Sequence, residues 1–301
     1  MYKYSIYFLI AKLGRGIVFQ CFSINLYNRF EVMDFVGELS QFLSSNGLDG
    51  RPDIVPVPLS ARDASEAEAQ RLALAPLAGQ AVFVTEDRWH AAGETVRLRL
   101  LAHCGRFRQV YARNCAVRRI DRTLASAFLS QTHSYGDALS RFRYGLFVER
   151  VTGEKGVCLS ERSEGVFGVK DLPGPQAGDL VAVATFSKAR NRIVEGRRVK
   201  SFEWVRYASL PGVRVEGGMG KLLDTFVSEV HPEDVMTYAD LEWSDGRAYR
   251  ELGFTLAGPR DPVTFAVDPR TWERRDVKYV SDTSGMLFYR NFGSLKYRKQ
   301  Y

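Results

Sequence analysis

The residues Gly217-Gly218-Met219-Gly220-Lys221 have the makeup of an anion cradle. Small residues let a backbone come close to an anion, and the N–H groups of a helix start face it. The surrounding order suits such a cradle. An apolar, β-leaning run from Phe202 to Leu210 leads into the glycines, and a helix pattern follows from Leu222 to Val230. A second apolar run, Val235 to Ala239, precedes a polar turn and then Tyr249-Arg250-Glu251-Leu252-Gly253-Phe254. Strand, glycine turn, helix, strand is a phosphate-binding layout. The bland alternative is a helix-entry loop that holds nothing, because a short motif takes its meaning from its context.

Other residues offer chemistry singly. His133 is a candidate general base or substrate contact, since imidazole titrates near neutrality; otherwise it caps a helix C-terminus. Asp240 follows an apolar strand, where an active-site carboxylate would emerge, or it caps the turn through Ser244. Arg206 and Tyr207 either line a groove or alternate between solvent and core. Trp243 is either a stacking platform for a base or a loop anchor. Lys188, Arg190, Arg192, Arg197, Arg198 and Lys200 form a basic, hairpin-like run, read either as phosphate contacts with nucleic acid or as a solvated loop. Glu86 and Asp87 are adjacent at a strand end, where neighbouring side chains point to opposite faces, so they make no catalytic dyad.

The segment from Trp204 to Phe254 resembles the core of the GNAT acyltransferase superfamily. There a strand feeds a Gly-x-Gly loop whose amides hold the pyrophosphate of acyl-coenzyme A. Gly218-Met219-Gly220 and the following Lys221-Leu222-Leu223 match that loop and its helix start. Val215 stands where the family commonly has Gln or Arg. The Tyr249 to Phe254 stretch resembles the family's later Tyr…Leu-Gly-Phe motif. The resemblance implies acetyl-CoA or another acyl-CoA, held by Val215, Gly217, Gly218, Met219, Gly220 and Lys221. It implies attack by an amine on the thioester, with His133 or Asp240 taking the proton. Tyr249 would protonate the leaving thiolate or, alternatively, pack against the coenzyme arm or the core.

A looser resemblance runs from Ala81 to Phe254, to two-part phage and mobile-element proteins related to homing endonucleases. It rests on Glu86-Asp87-Arg88-Trp89, Arg97, Arg99, Ala112-Arg113-Asn114-Cys115, Phe128 to His133, Thr237 to Asp240 and Trp243 to Gly246. Residues 33 to 80 lack the nuclease's acidic and histidine cluster, and Asp53 and Asp63 are isolated. It therefore implies a remnant and no working nuclease. A more distant resemblance to the Mom DNA-modification proteins rests on His133-Ser134-Tyr135-Gly136 and Tyr238-Ala239-Asp240. It implies adenine modification. The alternative function is then a mobile-element-related nucleic-acid-binding or DNA-base-modifying protein, with the basic run at 188–200 and the basic aromatic tail supplying the affinity. A catalytically idle GNAT-like module is the third.

The bulk numbers bound these readings. The chain has 301 residues, 45% hydrophobic and 26% charged, with a net charge of +7. That is an ordinary globular composition, long enough for one large core or two modest ones. A basic balance admits nucleic acid or coenzyme phosphates as partners without choosing between them. Cys21, Cys104, Cys115 and Cys158 show neither zinc nor disulfide spacing, and fit the reduced thiols of a cytoplasmic protein. The four histidines are not at metal-ligand spacing, so no metal is expected. No run approaches the roughly 20 apolar residues of a membrane span, so no membrane partner is expected.

The expected class is α/β: a GNAT-like mixed sheet flanked by helices, preceded by a smaller α/β subdomain. Residues 1–32 read as an extension, 33–113 as the small subdomain, 114–270 as the GNAT-like domain and 271–301 as a basic aromatic tail. Helices are expected over 33–46, 64–74, 94–103 and 122–132. Strands are expected over 80–85, 109–112, 142–148, 180–186 and 263–267, and a glycine-rich excursion over 152–178.

Overall fold

The computed structural model describes residues 30–150, 174–194 and 196–301. Nearly all of the expected N-terminal extension, and most of the glycine-rich excursion, lie outside the described residues.

The chain first builds a small unit. Helix α1 (Phe30–Ser45) is followed by β1 (Ile54–Val57), α2 (Ala64–Leu74), β2 (Val82–Thr85), α3 (Glu86–Ala91), α4 (Gly93–His103) and β3 (Arg108–Tyr111). Strands β1 and β2 pair in parallel, Ile54 with Val82 through Val57 with Thr85. Helix α2 starts where Asp63 accepts the N–H groups of Ser65 and Glu66, an N-cap that satisfies donors the helix cannot. Glu86 and Asp87 open α3 and are not at a strand end. They still serve different partners. Glu86 Oε2 accepts the Leu59 N–H at 2.7 Å, whereas Asp87 takes the Arg274 guanidinium through two bonds of 2.6 and 2.8 Å.

The main unit continues with β4 (Cys115–Arg119), α5 (Arg122–Thr132), β5 (Phe142–Val148), β6 (Leu180–Phe186), β7 (Arg190–Val194), β8 (Arg197–Ser209) and β9 (Val213–Glu216). Then come α6 (Gly218–Val230), β10 (Asp234–Asp240), α7 (Arg247–Glu251) and β11 (Thr255–Arg260). Strands β12 (Thr264–Val267), β13 (Arg274–Asp276) and β14 (Leu287–Arg290) precede β15 (Ser294–Gln300). The result is a mixed sheet in the order β11-β15-β10-β8-β6-β5-β4, with β7 also pairing β8. Among its described ladders only β8–β10 is parallel. The helical crossover through α6 makes that pairing possible.

Helix α6 covers one face of the sheet with Leu222, Leu223 and Phe226. Phe226 stacks on Phe186 at 3.9 Å between ring centroids. Each such side chain contributes about 2–3 kcal/mol by leaving water. Helix α5 packs Ala125, Phe128 and Leu129 against Val183 and Ala208 on the other face. The small unit docks through β2, whose Phe83 N–H donates to the Glu242 carbonyl at 2.8 Å. Phe83 stacks on Phe292 at 4.0 Å, and Phe288 forms a bridge with Ala61.

Residues 271–301, read above as a basic aromatic tail, supply β13, β14 and β15. The last lies inside the sheet, between β10 and β11. Lys296 and Arg298 are one side of a period-two pattern. Leu295 and Tyr297 join the core, while Arg298 pairs with Asp234 at 2.7 Å.

Candidate functional site

Strands β8 and β10 stay together for three pairs: Ser201 with Asp234, Phe202 with Val235 and Glu203 with Met236. One residue further, Thr237 uses its side chain, Oγ1 donating to the Trp204 carbonyl at 3.2 Å. Beyond that the strands part. Strand β10 remains laddered to β15 along its whole length. Strand β8 bends at a bulge: Phe186 pairs with Trp204 and Thr185 with Arg206, which leaves Val205 as the extra residue. A bulge takes its extra residue out of the ladder and sharpens the twist.

The gap is a cavity of about 490 Å³. Trp204 to Ser209 form one wall, and Thr237, Tyr238, Asp240 and Tyr249 the other. His133 to Tyr135, from the loop after α5, and Arg99 of α4 close one end. Arg260 at the end of β11 and Asp261, Val263, Phe265 and Asn291 from the segment between β11 and β15 also contribute.

The cavity thus brings together His133, Asp240 and Tyr249, which lie far apart in sequence. Asp240 ends β10 half-buried. Its Oδ2 accepts the Tyr135 hydroxyl at 3.0 Å, and its Oδ1 accepts the Glu242 N–H at 3.0 Å. His133 Nδ1 accepts the Tyr135 N–H at 3.1 Å, so the neutral ring carries its proton on Nε2. Burial, then the charges of Arg206, Arg99 and Arg88, push this imidazole down to about 3. The ring is therefore a neutral donor and a weak base. Tyr249 packs its ring against Trp204 and Phe254, each at 5.9 Å. Burial raises its phenol above the ordinary value, so it stays protonated at neutral pH.

The glycines sit in the first turn of α6, with Gly217 as N-cap at φ +75°, a conformation that favours glycine. The first backbone bond of the helix is Lys221 N–H to the Gly217 carbonyl at 3.0 Å. The amides of Gly218, Met219 and Gly220 are thus the donors a helix start leaves over. A Cβ on Gly218 would meet Val215 Cγ1 at 2.9 Å and Tyr207 Oη at 3.4 Å. Tyr207 also lines the cavity, so the helix start adjoins its wall. Val215 turns its side chain under the helix and is buried. Lys221 Nζ donates to the carbonyls of Ala112 and Cys115 and pins the β3–β4 corner to α6.

The basic run forms the β7–β8 hairpin. Arg190 pairs with Ser201, Asn191 with Lys200, Arg192 with Val199, Ile193 with Arg198 and Val194 with Arg197. Strand alternation therefore sends Arg190, Arg192 and Arg197 to one side, and Arg198 and Lys200 to the other. Lys188 precedes β7 and is exposed. These cations form no single strip.

Several site residues carry no strong sequence signal. Arg99 of α4 stacks its guanidinium on Trp243 at 3.9 Å and donates to Ser134 Oγ. Glu203 lines the cavity just before the strands part. Behind Asp240 lies a buried cluster. Tyr289 Oη donates to Glu242 Oε1 at 2.5 Å, and Arg274 Nη1 stands 3.8 Å from the same oxygen. Burial, then the Asp240 charge, push Glu242 up to about 7. For Asp87, burial works to raise the carboxyl, but Arg274 outweighs it and holds the group below its ordinary value.

No family model matches the chain. No curated protein matches it. Among solved structures the chain is similar to Eis1 from Mycobacterium abscessus, at 16% identity and a TM-score of 0.32, over 52% of this chain and 34% of that one. It thus spans about a third of that protein's length. It is similar to a Bacillus subtilis acetyltransferase in complex with CoA, at 10% identity and a TM-score of 0.33, over 62% and 99%. Nourseothricin acetyltransferase is similar at 17% identity and a TM-score of 0.29, over 62% and 98%.

Proposed function

We propose that the protein is an acyl-CoA-dependent N-acyltransferase of the GNAT type. The observation that carries the reading is the parting of β8 and β10 beside a glycine-started helix. The cavity between them holds a carboxylate, a phenol and a bulged strand. The helix start fits a pyrophosphate. Its three leftover amides face an anion favourably, and the glycine at 218 lets the helix start sit close against Val215 and Tyr207.

In this reading acyl-CoA is the first substrate, with its pyrophosphate on Gly218, Met219 and Gly220 and its thioester in the gap. The backbone at the Val205 bulge polarises the thioester carbonyl, the kind of preorganised donor that stabilises a developing oxyanion. The acceptor amine attacks the carbonyl carbon, the N–C bond forms and the C–S bond breaks. Asp240 takes the amine proton. Tyr249 gives its proton to the departing thiolate and recovers one from solvent. His133 holds the acceptor through its Nε2–H; its depressed basicity suits it to donate and not to accept.

The test is release of free thiol from acetyl-CoA across a panel of amines. Asp240→Asn and Tyr249→Phe are expected to lower turnover by about 10²–10⁴-fold and by a smaller factor, respectively. A rate indifferent to both substitutions would remove these roles.

A further inference from the structure

The cavity is lined by three arginines, Arg99, Arg206 and Arg260, and by three carboxylates, Glu203, Asp240 and Asp261. The two sets are not paired with each other. Among the described residues, neither Arg99 nor Arg206 has a carboxylate oxygen within ion-pair distance. Arg99 rests on the Trp243 ring and donates to Ser134. Arg206 donates only to backbone carbonyls, those of Gly136 at 3.1 Å and Val205 at 3.0 Å. Other inward guanidiniums are neutralised: Arg274 by Asp87 and Arg298 by Asp234. Burying a cation that makes no direct ion pair is costly: burial pulls Arg99 down to about 10, although the nearby Asp240 charge offsets part of that. The carboxylate of Asp240 accepts from Tyr135 and the Glu242 amide and makes no direct bond to either arginine.

We infer that the cavity takes a small amine acceptor carrying its own acidic group, a carboxylate or a phosphate, which supplies the missing partner for Arg99 and Arg206. A guanidinium presents forked donors that match either anion. The acceptor is small because the cavity is only about 490 Å³ and is walled from several elements. Arg99 comes from the N-terminal unit, and Asp261, Phe265 and Asn291 come from the segment between β11 and β15. The amine end then lies toward Asp240, and the acidic end toward the two arginines. The inference rests on the acyl-transfer reading for the identity of the amine. The anion site itself stands on the arginines alone.

Two experiments separate the two claims. In the first, thiol release from acetyl-CoA is measured with amino acids, with the matching amino acid amides, and with aminoalkyl phosphates. Acid-bearing amines are expected to be used at least 10-fold better, in kcat/KM, than neutral amides of the same shape. Arg99→Gln and Arg206→Gln are expected to raise KM for them at least 10-fold while acetyl-CoA affinity is unchanged. A preference for carboxylates or for phosphates identifies the source of the acid. Equal use of acids and amides overturns the inference. In the second, acetate and inorganic phosphate are titrated into the unmodified protein without coenzyme, and the His133 ring proton is followed by NMR. A saturable shift for either anion, lost in Arg206→Gln, supports the site even where no acyl transfer is seen. No shift for either anion overturns it.

Discussion

Thr237 Oγ1 reaches the Trp204 carbonyl at 3.2 Å, one residue beyond the last backbone pair joining β8 to β10. This side-chain bond stands where a further ladder bond would otherwise hold the strands together. It ends the parallel ladder without leaving the buried Trp204 carbonyl unserved, which matters because an unpaired buried acceptor costs about 1–3 kcal/mol.

Thr237→Val keeps the shape and removes the donor. The expected loss is about 1–2 kcal/mol of stability, read as a lower urea midpoint with an unchanged slope. Acetyl-CoA affinity is expected to weaken too, because the wall of the cavity is no longer pinned. Unchanged stability would mean that the carbonyl finds another donor and that the hinge does not depend on Thr237.

His133 and Asp240 line one cavity but are predicted to behave differently. Asp240→Asn is expected to lower kcat by about 10²–10⁴-fold. His133→Gln keeps a donor toward the cavity, so its effect is expected to fall mainly on KM for the acceptor. Steady-state kinetics of the two variants check this. A larger kcat loss in His133→Gln than in Asp240→Asn would reverse the assignment of the base.

Glu242 makes stability depend on pH. Its folded value is pushed up to about 7, against about 4.3 for an ordinary glutamate. Between those values the folded protein keeps a proton that the unfolded chain releases. Stability is therefore full below about pH 4.3 and falls as pH rises toward 7, by at most about 1.4 kcal/mol per pH unit from this group. Glu242→Gln cannot titrate and keeps an oxygen for Tyr289. Urea midpoints at pH 5, 6, 7 and 8 are expected to decline less in the variant. Parallel declines in both proteins would show that Glu242 does not carry the effect.

Local order was legible in the residues; distant pairing was not. Helices α2 and α5 fall on the expected residues because their spacing and their caps, Asp63 and Asp121, are local signals. The glycine start of α6 was visible for the same reason, although the helix begins at Gly218 and not at Leu222. The mixed sheet flanked by helices was expected, yet its order was not. The place of β15 between β10 and β11 depends on pairings between residues far apart in sequence, such as Asp234 with Gln300 and Thr255 with Arg298, which no pattern in Ser294 to Gln300 encodes. Within the site, Asp240 and Tyr249 could be picked out because each follows a recognisable strand or turn. Arg99 stands out only in the mobile-element resemblance and not for this site: on α4 it looks like any exposed helical arginine, and only the docking of α4 beside Trp243 and Ser134 turns it into the cavity.

Acyl-CoA binding at the start of α6 is the claim on which the rest depends, and calorimetry with acetyl-CoA tests it directly. The unmodified protein is expected to bind it saturably, with one site per chain. Gly220→Asp is expected to abolish binding, since it puts a carboxylate at the helix start, while the circular dichroism spectrum stays unchanged. Gly218→Ala, whose methyl would press on Val215 Cγ1 at 2.9 Å, is expected to weaken binding at least 10-fold. No heat of binding in the unmodified protein at millimolar acetyl-CoA, or equal binding by Gly220→Asp, would contradict the account.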